Sequence, residues 1–349
     1  MIFLASYLFS YLLSYFKILL PILLIVFAVM GGLNSNIEDF NSYYEIYSEV
    51  PSFDILIQNF TVLSDIYGEN GYLIYNSIIK LFIDDYYMFR VITLLITLFI
   101  IFYVYKKTSY FLPIVFLFYF TEYFYLHTIA LRTSIATALI LLSFYTLENR
   151  QYFRTVALFI LASSFHLVAS LSIIIYLVYM YVPFKKLIFL MIIIFSIVIS
   201  KIGLVTILTI FFDTYFSHTF ISLKLNAMAN GSISYSSGIL RGTVILHMLF
   251  LTLFFSLFEK LNTFKYFKIF FISYLISFVF LLIFNDMSIV GDRLFIVFSI
   301  PLGILFSYVL YCFNDSKVFI LGSLSIIFMI LMYLKGINIL PYEFMNRSV

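Results

Sequence analysis

The sequence predicts an all-α protein, a polytopic bundle of about 10–12 transmembrane helices with two longer outer loops. Three observations lead to this fold class: abundant apolar residues, scarce charge and unbroken apolar segments. Of 349 residues, 64% are hydrophobic and 11% are charged, whereas a soluble domain has roughly 45–50% apolar and about 25% charged residues. The apolar segments, such as 91–105 and 187–200, are continuous, which favours helices over the alternating strands of a barrel.

The apolar segments divide the chain into approximate spans, several of them shorter than the ~20 residues that a straight span needs. Two polar stretches, about 34–70 and about 213–241, form the longer loops, and residues 1–349 are treated as a single integral membrane domain. The short apolar stretch 72–83 contains Lys80 and is predicted to be an interfacial or re-entrant helix. The predicted spans are residues 2–16, 18–33, 88–105, 109–126, 129–147, 153–166, 167–182, 187–210, 243–258, 269–285, 293–312 and 317–335.

The distribution of charge predicts the orientation of the bundle. Basic residues collect in the connections on one side, which the positive-inside rule makes cytoplasmic, while the first long loop is acidic and lies outside with the second. A net charge of +3 is too small to indicate a nucleic-acid partner. The basic residues on the predicted inner side are Lys106, Lys107, Arg150, Arg154, Lys185, Lys186, Lys260, Lys265, Lys268 and Lys317.

Ionisable residues at membrane depth are costly and often functional, and four of them lie near the predicted outer face. Arg132 begins a span five residues after His127, and its guanidinium either reaches lipid phosphates or binds a substrate phosphate. His166 lies where the chain must turn round, as a packed interfacial residue, a phosphate ligand or a proton-transfer group. Arg293 is either a local anchor paired with Asp292 or a second cation for a diphosphate.

The outer loops add further candidates. Asp39 and Glu69 in the first loop are either solvated acidic residues or, together with His166, candidates for a general base that activates a hydroxyl. Tyrosines of this loop could stack on sugar rings. The chain contains no nucleotide-binding fingerprint and no histidine spacing typical of a metal site, so neither a cofactor nor a metal is predicted. The residues assigned to substrate binding are His127, Tyr43, Tyr72 and Arg241.

These short motifs resemble the EpsG-like group of polysaccharide polymerases, which are relatives of the Wzy-type O-antigen polymerases. The resemblance extends from about residue 18 to residue 310. The chain has Thr133 where the family often has glutamine after the arginine, so the resemblance carries over the arginine and not the glutamine. The matching elements are Asp39-Phe-Asn-Ser-Tyr43, Glu69-Asn-Gly-Tyr72, Arg132-Thr-Ser-Ile-Ala136 followed by Glu148-Asn-Arg-Gln-Tyr-Phe-Arg154, His166-Leu-Val-Ala169 and the late Arg293.

The resemblance implies a membrane glycosyltransferase. A growing glycan would be transferred from undecaprenyl diphosphate to a new lipid-linked repeat unit at the periplasmic face of the bacterial inner membrane. Arg132 and Arg293 would neutralise the leaving diphosphate, and Glu69, Asp39 or His166 would act as the base. The implied partners are the lipid-linked oligosaccharide, membrane lipid and a chain-length regulator.

Other membrane proteins remain as alternatives. A flippase or transporter of lipid-linked oligosaccharides should have pseudo-symmetric halves, and none is evident in the sequence. An O-acyltransferase should show an early Arg/His signature, whereas Lys17 is the only charge among the first 36 residues. An O-antigen ligase differs only in its acceptor, and the sequence separates it poorly from a polymerase.

Overall fold

The computed structural model describes residues 19–58, 66–202, 241–285 and 288–313, together with 63, 207, 210–211 and 214–215. Its regular structure is helical, and no β-strand occurs among these residues, which confirms the all-α prediction. A π-helical turn is formed by Tyr119–Tyr123, and a 3-10 turn is formed by Leu167–Leu171. The helices are α1 Leu19–Leu33, α2 Phe40–Glu49, α3 Phe53–Leu56, α4 Asn70–Lys80, α5 Tyr86–Thr108, α6 Leu112–Phe118, α7 Phe124–Ile129, α8 Leu131–Glu148, α9 Tyr152–Phe165, α10 Ser172–Tyr181, α11 Lys186–Ile202, α12 Gly242–Ser256, α13 Phe258–Leu261, α14 Phe267–Ile283, α15 Ser288–Ser299 and α16 Leu302–Cys312.

Within the described residues, two helical segments are long and apolar enough to cross a membrane, α5 and the continuous stretch Leu112–Ile129. A third is added if Val290–Ser299 and Leu302–Cys312 form one bent span. The predicted span 293–312 is therefore interrupted, and the break falls at Pro301, which lacks the N–H that a continuous helix needs. The predicted spans 2–16 and 317–335 lie outside the described residues. Shorter apolar helices are Leu19–Leu33, Tyr152–Phe165, Leu167–Tyr181, Gly242–Ser256 and Phe267–Ile283.

The chain divides into two compact units. The first comprises Met1–Ser170 and Phe306–Val349, and the second comprises Leu171–Leu305. In the first unit α8 packs against α5 and α9, while α4 packs against α9. In the second unit α14 is buried along almost its whole length by α10, α11, α12 and α15, as expected for a helix that is apolar on every side.

The first polar stretch is folded rather than extended. It contains α2 and α3, and the predicted interfacial helix 72–83 corresponds to α4. Lys80 donates to the backbone oxygen of Val50 at 2.6 Å and so satisfies the end of α2, while Ser77 donates to the oxygen of Pro51 at 2.7 Å. Tyr47 donates to the oxygen of Ile83 at 2.9 Å. These bonds fix α2 against α4. Of the second polar stretch, residues 216–240 lie outside the described residues.

A buried arginine anchors the end of α1. Arg90 donates to the backbone oxygens of Asn34 at 2.5 Å, Gly31 at 3.0 Å and Thr128 at 3.4 Å. A cation at a helix C-terminus satisfies the last carbonyls and offsets the helix dipole. The third bond ties α1 and α5 to the end of α7, four residues before Arg132. Arg90 thereby helps to fix the start of α8.

Candidate active site

Three side chains predicted as functional, Glu69, Arg132 and His166, meet at one point in the first unit. Nη1 of Arg132 donates to Oε2 of Glu69 at 2.6 Å, and Nδ1 of His166 lies 3.1 Å from Oε1. The backbone N–H of Leu167 also donates to Oε1, at 3.4 Å. The exposed fraction of the side chain is 16% for Arg132, 25% for Glu69 and 19% for His166. The cluster is thus open to a ligand.

Each of the three residues lies at the end of a helix. Glu69 immediately precedes α4, Arg132 is the second residue of α8, and His166 directly follows α9. The backbone leaves the helical conformation at these boundaries, with φ −105° and ψ 77° at Ala130 and φ −154° and ψ 120° at His166. Helix ends that converge in this way bring together side chains that are far apart in the sequence.

Two glycines on either side of Glu69 permit an unusual backbone conformation and a close contact between helices. Gly68 has φ +153°, a conformation that residues with a side chain rarely adopt. A Cβ on Gly71 would overlap Ser164 and would lie 2.7 Å from the carbonyl carbon and oxygen of that residue. The backbone of α4 therefore lies directly against the last turn of α9, and this close approach lets Glu69 reach His166.

The surroundings of Glu69 fix its charge. Burial alone would raise the pKa of this carboxyl, but the hydrogen bond with His166 and the positive charge of Arg132 outweigh burial and lower the pKa to about 2. Glu69 is therefore ionised at neutral pH and accepts protons poorly. A carboxylate that faces Nδ1 of His166 favours the imidazole tautomer protonated on that nitrogen, which leaves Nε2 as the basic atom.

Aromatic rings surround the guanidinium of Arg132. Its Nε donates to the hydroxyl of Tyr43 at 3.4 Å, and its Cζ lies 5.4 Å from the centre of the Tyr43 ring and 5.5 Å from that of Tyr67. Tyr43 is 6% exposed and Tyr72, which packs edge-on against it, is fully buried. Burial raises the pKa of Tyr43 against the opposing effect of Arg132, so the phenol stays protonated. Tyr67, by contrast, is 65% exposed.

Two other predicted residues of the first unit lie apart from this cluster. Asp39 is exposed at the start of α2, and its carboxylate makes no hydrogen bond or ion pair within the described residues. His127 is 1% exposed in α7, and its Nδ1 lies 2.8 Å from the hydroxyl of Tyr119. A side chain buried in this way is not open to a ligand, so the substrate-binding prediction for His127 receives no support from its position.

The second unit contains its own ion pair. Arg241, just before α12, donates from Nη2 and Nη1 to the two carboxylate oxygens of Asp292 at 2.7 and 3.1 Å. Asp292 therefore pairs with Arg241 rather than with its neighbour Arg293. Arg293 lies on α15 and is exposed, and it makes no ion pair in the part of the chain that the structure describes. Arg241 is neutralised, whereas Arg293 keeps its charge available.

Sequence reasoning overlooked Tyr67, Arg90 and Gly68, and it included Gly71 in a matching element without assigning it a role. Tyr67 stands two residues before Glu69, so its proximity was a signal, whereas nothing in the apolar context of Arg90 distinguished it from other span-end cations. Across residues 19–58, 66–202, 241–285 and 288–313, no group of three or more His, Cys, Asp or Glu residues is arranged to hold a metal ion.

The chain was compared with known proteins in three ways. The model of the EpsG family matches residues 17–344, a range that contains every candidate site residue. Neither the search of curated proteins nor the search of solved structures found a match. The family and the apolar helices together indicate a membrane protein of surface-polysaccharide biosynthesis. Because the family match covers nearly the whole chain, the protein belongs to the EpsG family.

Proposed function

We propose that this protein polymerises lipid-linked oligosaccharide repeat units of an O-antigen or another surface polysaccharide. The growing glycan leaves undecaprenyl diphosphate and is joined to a new repeat unit at the periplasmic face of the bacterial inner membrane. The proposal includes a single domain of about 10–12 spans, with the first polar stretch outside. The observation that carries the proposal is the Arg132–Glu69–His166 cluster, which combines a cation for an anionic leaving group with a base for a hydroxyl.

Arg132 is suited to bind the diphosphate. Nη1 is engaged by Glu69 and Nε by Tyr43, whereas Nη2 makes no hydrogen bond within the described residues. A guanidinium forms strong, directional hydrogen bonds to phosphate oxygens, and it stays charged under all physiological conditions. As the glycosidic bond breaks, negative charge develops on the departing diphosphate, and a fixed cation at that point lowers the barrier.

His166 is the best candidate for the base. Three groups were predicted for this role, but the partners of Glu69 lower its pKa to about 2, which makes it a weak base, and Asp39 lies outside the cluster. Glu69 instead orients the imidazole through Nδ1, as the carboxylate does in an Asp–His pair. Nε2 then accepts the proton of the acceptor hydroxyl while the oxygen of that hydroxyl bonds to the anomeric carbon of the donor sugar. The bond from that carbon to the diphosphate breaks, and undecaprenyl diphosphate leaves with the electron pair.

Arg293 lies in the second unit, and its assignment as a second cation for the diphosphate stays a prediction. Its support is its exposure and its free charge within the described residues, in contrast to Arg241, which Asp292 neutralises. Arg241 is then a residue that shapes the start of α12 rather than a direct ligand. Membrane lipid surrounds the protein in this proposal, and a chain-length regulator acts on its product.

A deletion strain tests the reaction class. Loss of the polymerase should leave surface lipid with at most one repeat unit, because synthesis and export of the unit continue. Loss of a flippase would leave no unit at the surface, and loss of a ligase would leave long polymer on the carrier lipid. Gel analysis of surface lipid and of extracted carrier lipid separates these outcomes. Long, normal chains in a strain without a second polymerase would contradict the proposal.

A further inference from the structure

We propose that the exposed ring of Tyr67 is a binding platform for the sugar that is attached to the diphosphate. This inference rests on the proposed function, because it assigns a sugar subsite beside the diphosphate subsite at Arg132. The sequence alone assigned sugar stacking to the tyrosines of the first loop, and it assigned Tyr43 and Tyr72 among them to substrate binding. Those two rings are 6% and 0% exposed, so neither offers a free face, whereas Tyr67 is 65% exposed.

The position of Tyr67 links it to the reacting bond. Its ring centre lies 5.5 Å from Cζ of Arg132, the cation that takes the diphosphate in the proposed reaction. A sugar on that diphosphate is joined directly to a phosphate oxygen, so it must lie within a few ångströms of the guanidinium. One face of the Tyr67 ring is turned to Arg132, and the exposure of the ring leaves surface for an apolar sugar face.

The backbone holds Tyr67 in this place. Gly68 joins it to Glu69 with φ +153°, and a Cβ there would lie 3.0 Å from a methyl group of Leu73. Glu69 is in turn fixed by Arg132 and His166. An exposed aromatic ring without such neighbours is commonly an interfacial anchor in lipid headgroups. Here the ring is tied to the same guanidinium as the charge cluster, which favours a substrate contact.

Tyr44 provides a matched control. It is 41% exposed on α2, and its ring packs edge-on against Tyr86 at 5.5 Å instead of against Arg132. Tyr67→Ala and Tyr44→Ala therefore remove similar exposed rings from the same outer segment. Tyr67→Phe keeps the platform and removes only the hydroxyl.

The experiment compares two radiolabelled probes bound to the purified full-length protein in detergent: undecaprenyl diphosphate and the lipid-linked repeat unit extracted from a deletion strain. We expect Tyr67→Ala to weaken binding of the repeat unit about tenfold, a typical effect of one aromatic contact, and to leave undecaprenyl diphosphate unchanged. Tyr67→Phe and Tyr44→Ala should bind both probes normally.

Arg132→Ala tests the diphosphate site independently of the sugar platform. We expect it to weaken binding of both probes to the same degree. If Arg132→Ala changes neither probe, the diphosphate site and the proposed function fail. If Arg132→Ala acts as expected but Tyr67→Ala weakens both probes equally, or weakens neither, the sugar platform is wrong and the diphosphate site stands. An equal loss for both probes would identify Tyr67 as a contact to the lipid or to the diphosphate.

Discussion

Replacing Glu69 by glutamine removes the central charge of the cluster and preserves its shape. The pKa of this carboxyl falls from an ordinary value of 4.5 to about 2, which corresponds to roughly 3 kcal/mol of favourable interaction with the carboxylate form. Glutamine loses that interaction with Arg132. Its amide can also donate to Nδ1 of His166 where Oε1 accepted, which favours the tautomer with its proton on Nε2.

The expected loss of activity is large. The equivalent change in the Ser-His-Asp triad, aspartate to asparagine, lowers kcat by about 10⁴-fold because the imidazole adopts the wrong tautomer. Removing one partner of a desolvated charge pair costs about 2–5 kcal/mol. Since Glu69 remains 25% exposed, water reduces the effect, and we expect Glu69→Gln to lower the rate of polymerisation by about 10²–10⁴-fold.

The assay measures the initial rate with purified protein and extracted lipid-linked repeat units, alongside the amount of protein in the membrane. Glu45→Gln is the control, because Glu45 is exposed on α2 and its side chain lies outside the cluster. We expect the control to retain the wild-type rate. A Glu69→Gln variant that polymerises at the wild-type rate, at a normal level in the membrane, would refute the role assigned to the cluster.

The same carboxylate predicts a dependence of stability on pH. Its pKa is depressed in the folded protein, so its stabilisation is fully present above about pH 4.5 and is lost as the pH falls toward 2. Glu69→Gln should therefore lower the Tm of the detergent-purified protein at pH 7 and have a smaller effect near pH 3. A Tm difference that is as large at pH 3 as at pH 7 would contradict the assigned pKa.

Other changes test separate parts of the argument. Arg132→Ala should abolish polymer at a normal protein level, and Arg132→Lys should restore part of it, because lysine lacks the guanidinium fork; full polymer from the alanine variant would exclude a diphosphate role. Gly71→Ala should lower Tm and activity, since its Cβ would overlap α9, whereas Gly242→Ala meets no atom within 4 Å and should be neutral; equal Tm values would contradict the close packing. Reporter fusions should place Lys265 in the cytoplasm and Asn230 in the periplasm, and the reverse pattern would contradict the predicted orientation of the bundle in the membrane.

The sequence predicted the type of structure better than its boundaries. Continuous apolar segments identify helices in lipid because the backbone must satisfy its own hydrogen bonds there. The same composition hides interruptions: Pro301 breaks a segment that is apolar on both sides, and a π-helical turn at Tyr119–Tyr123 lies inside another. The polar stretch around α2 was predicted to be a loop, but it contains helices. These helices are stabilised by tertiary hydrogen bonds such as that of Lys80 to Val50. Such bonds have no signal in a single sequence.

For the candidate site, the residues were predicted from the sequence, but their contacts with one another were not. Arg132 and His166 were predicted because ionisable groups at membrane depth are rare and costly without a role, and Glu69 was predicted as a carboxylate of the first loop. Their mutual contact was not predictable, since it depends on the close approach of α4 to α9 at Gly71 and on the end of α7 held by Arg90. The pairing of Asp292 with Arg241, rather than with its neighbour, likewise depends on the packing of helices within the second unit.

In the proposed reaction, the bridging position of Glu69 couples substrate binding to proton transfer. Glu69 and a diphosphate are both anions that Arg132 can bind, so arrival of the diphosphate draws part of the guanidinium charge away from the carboxylate. The carboxylate then interacts more strongly with His166, and the diphosphate adds negative charge nearby. Both effects place negative charge beside the imidazole, where positive charge develops as Nε2 takes the proton. Binding of the donor thus prepares the transfer of the proton from the acceptor hydroxyl to His166, and the two steps are coupled through Glu69.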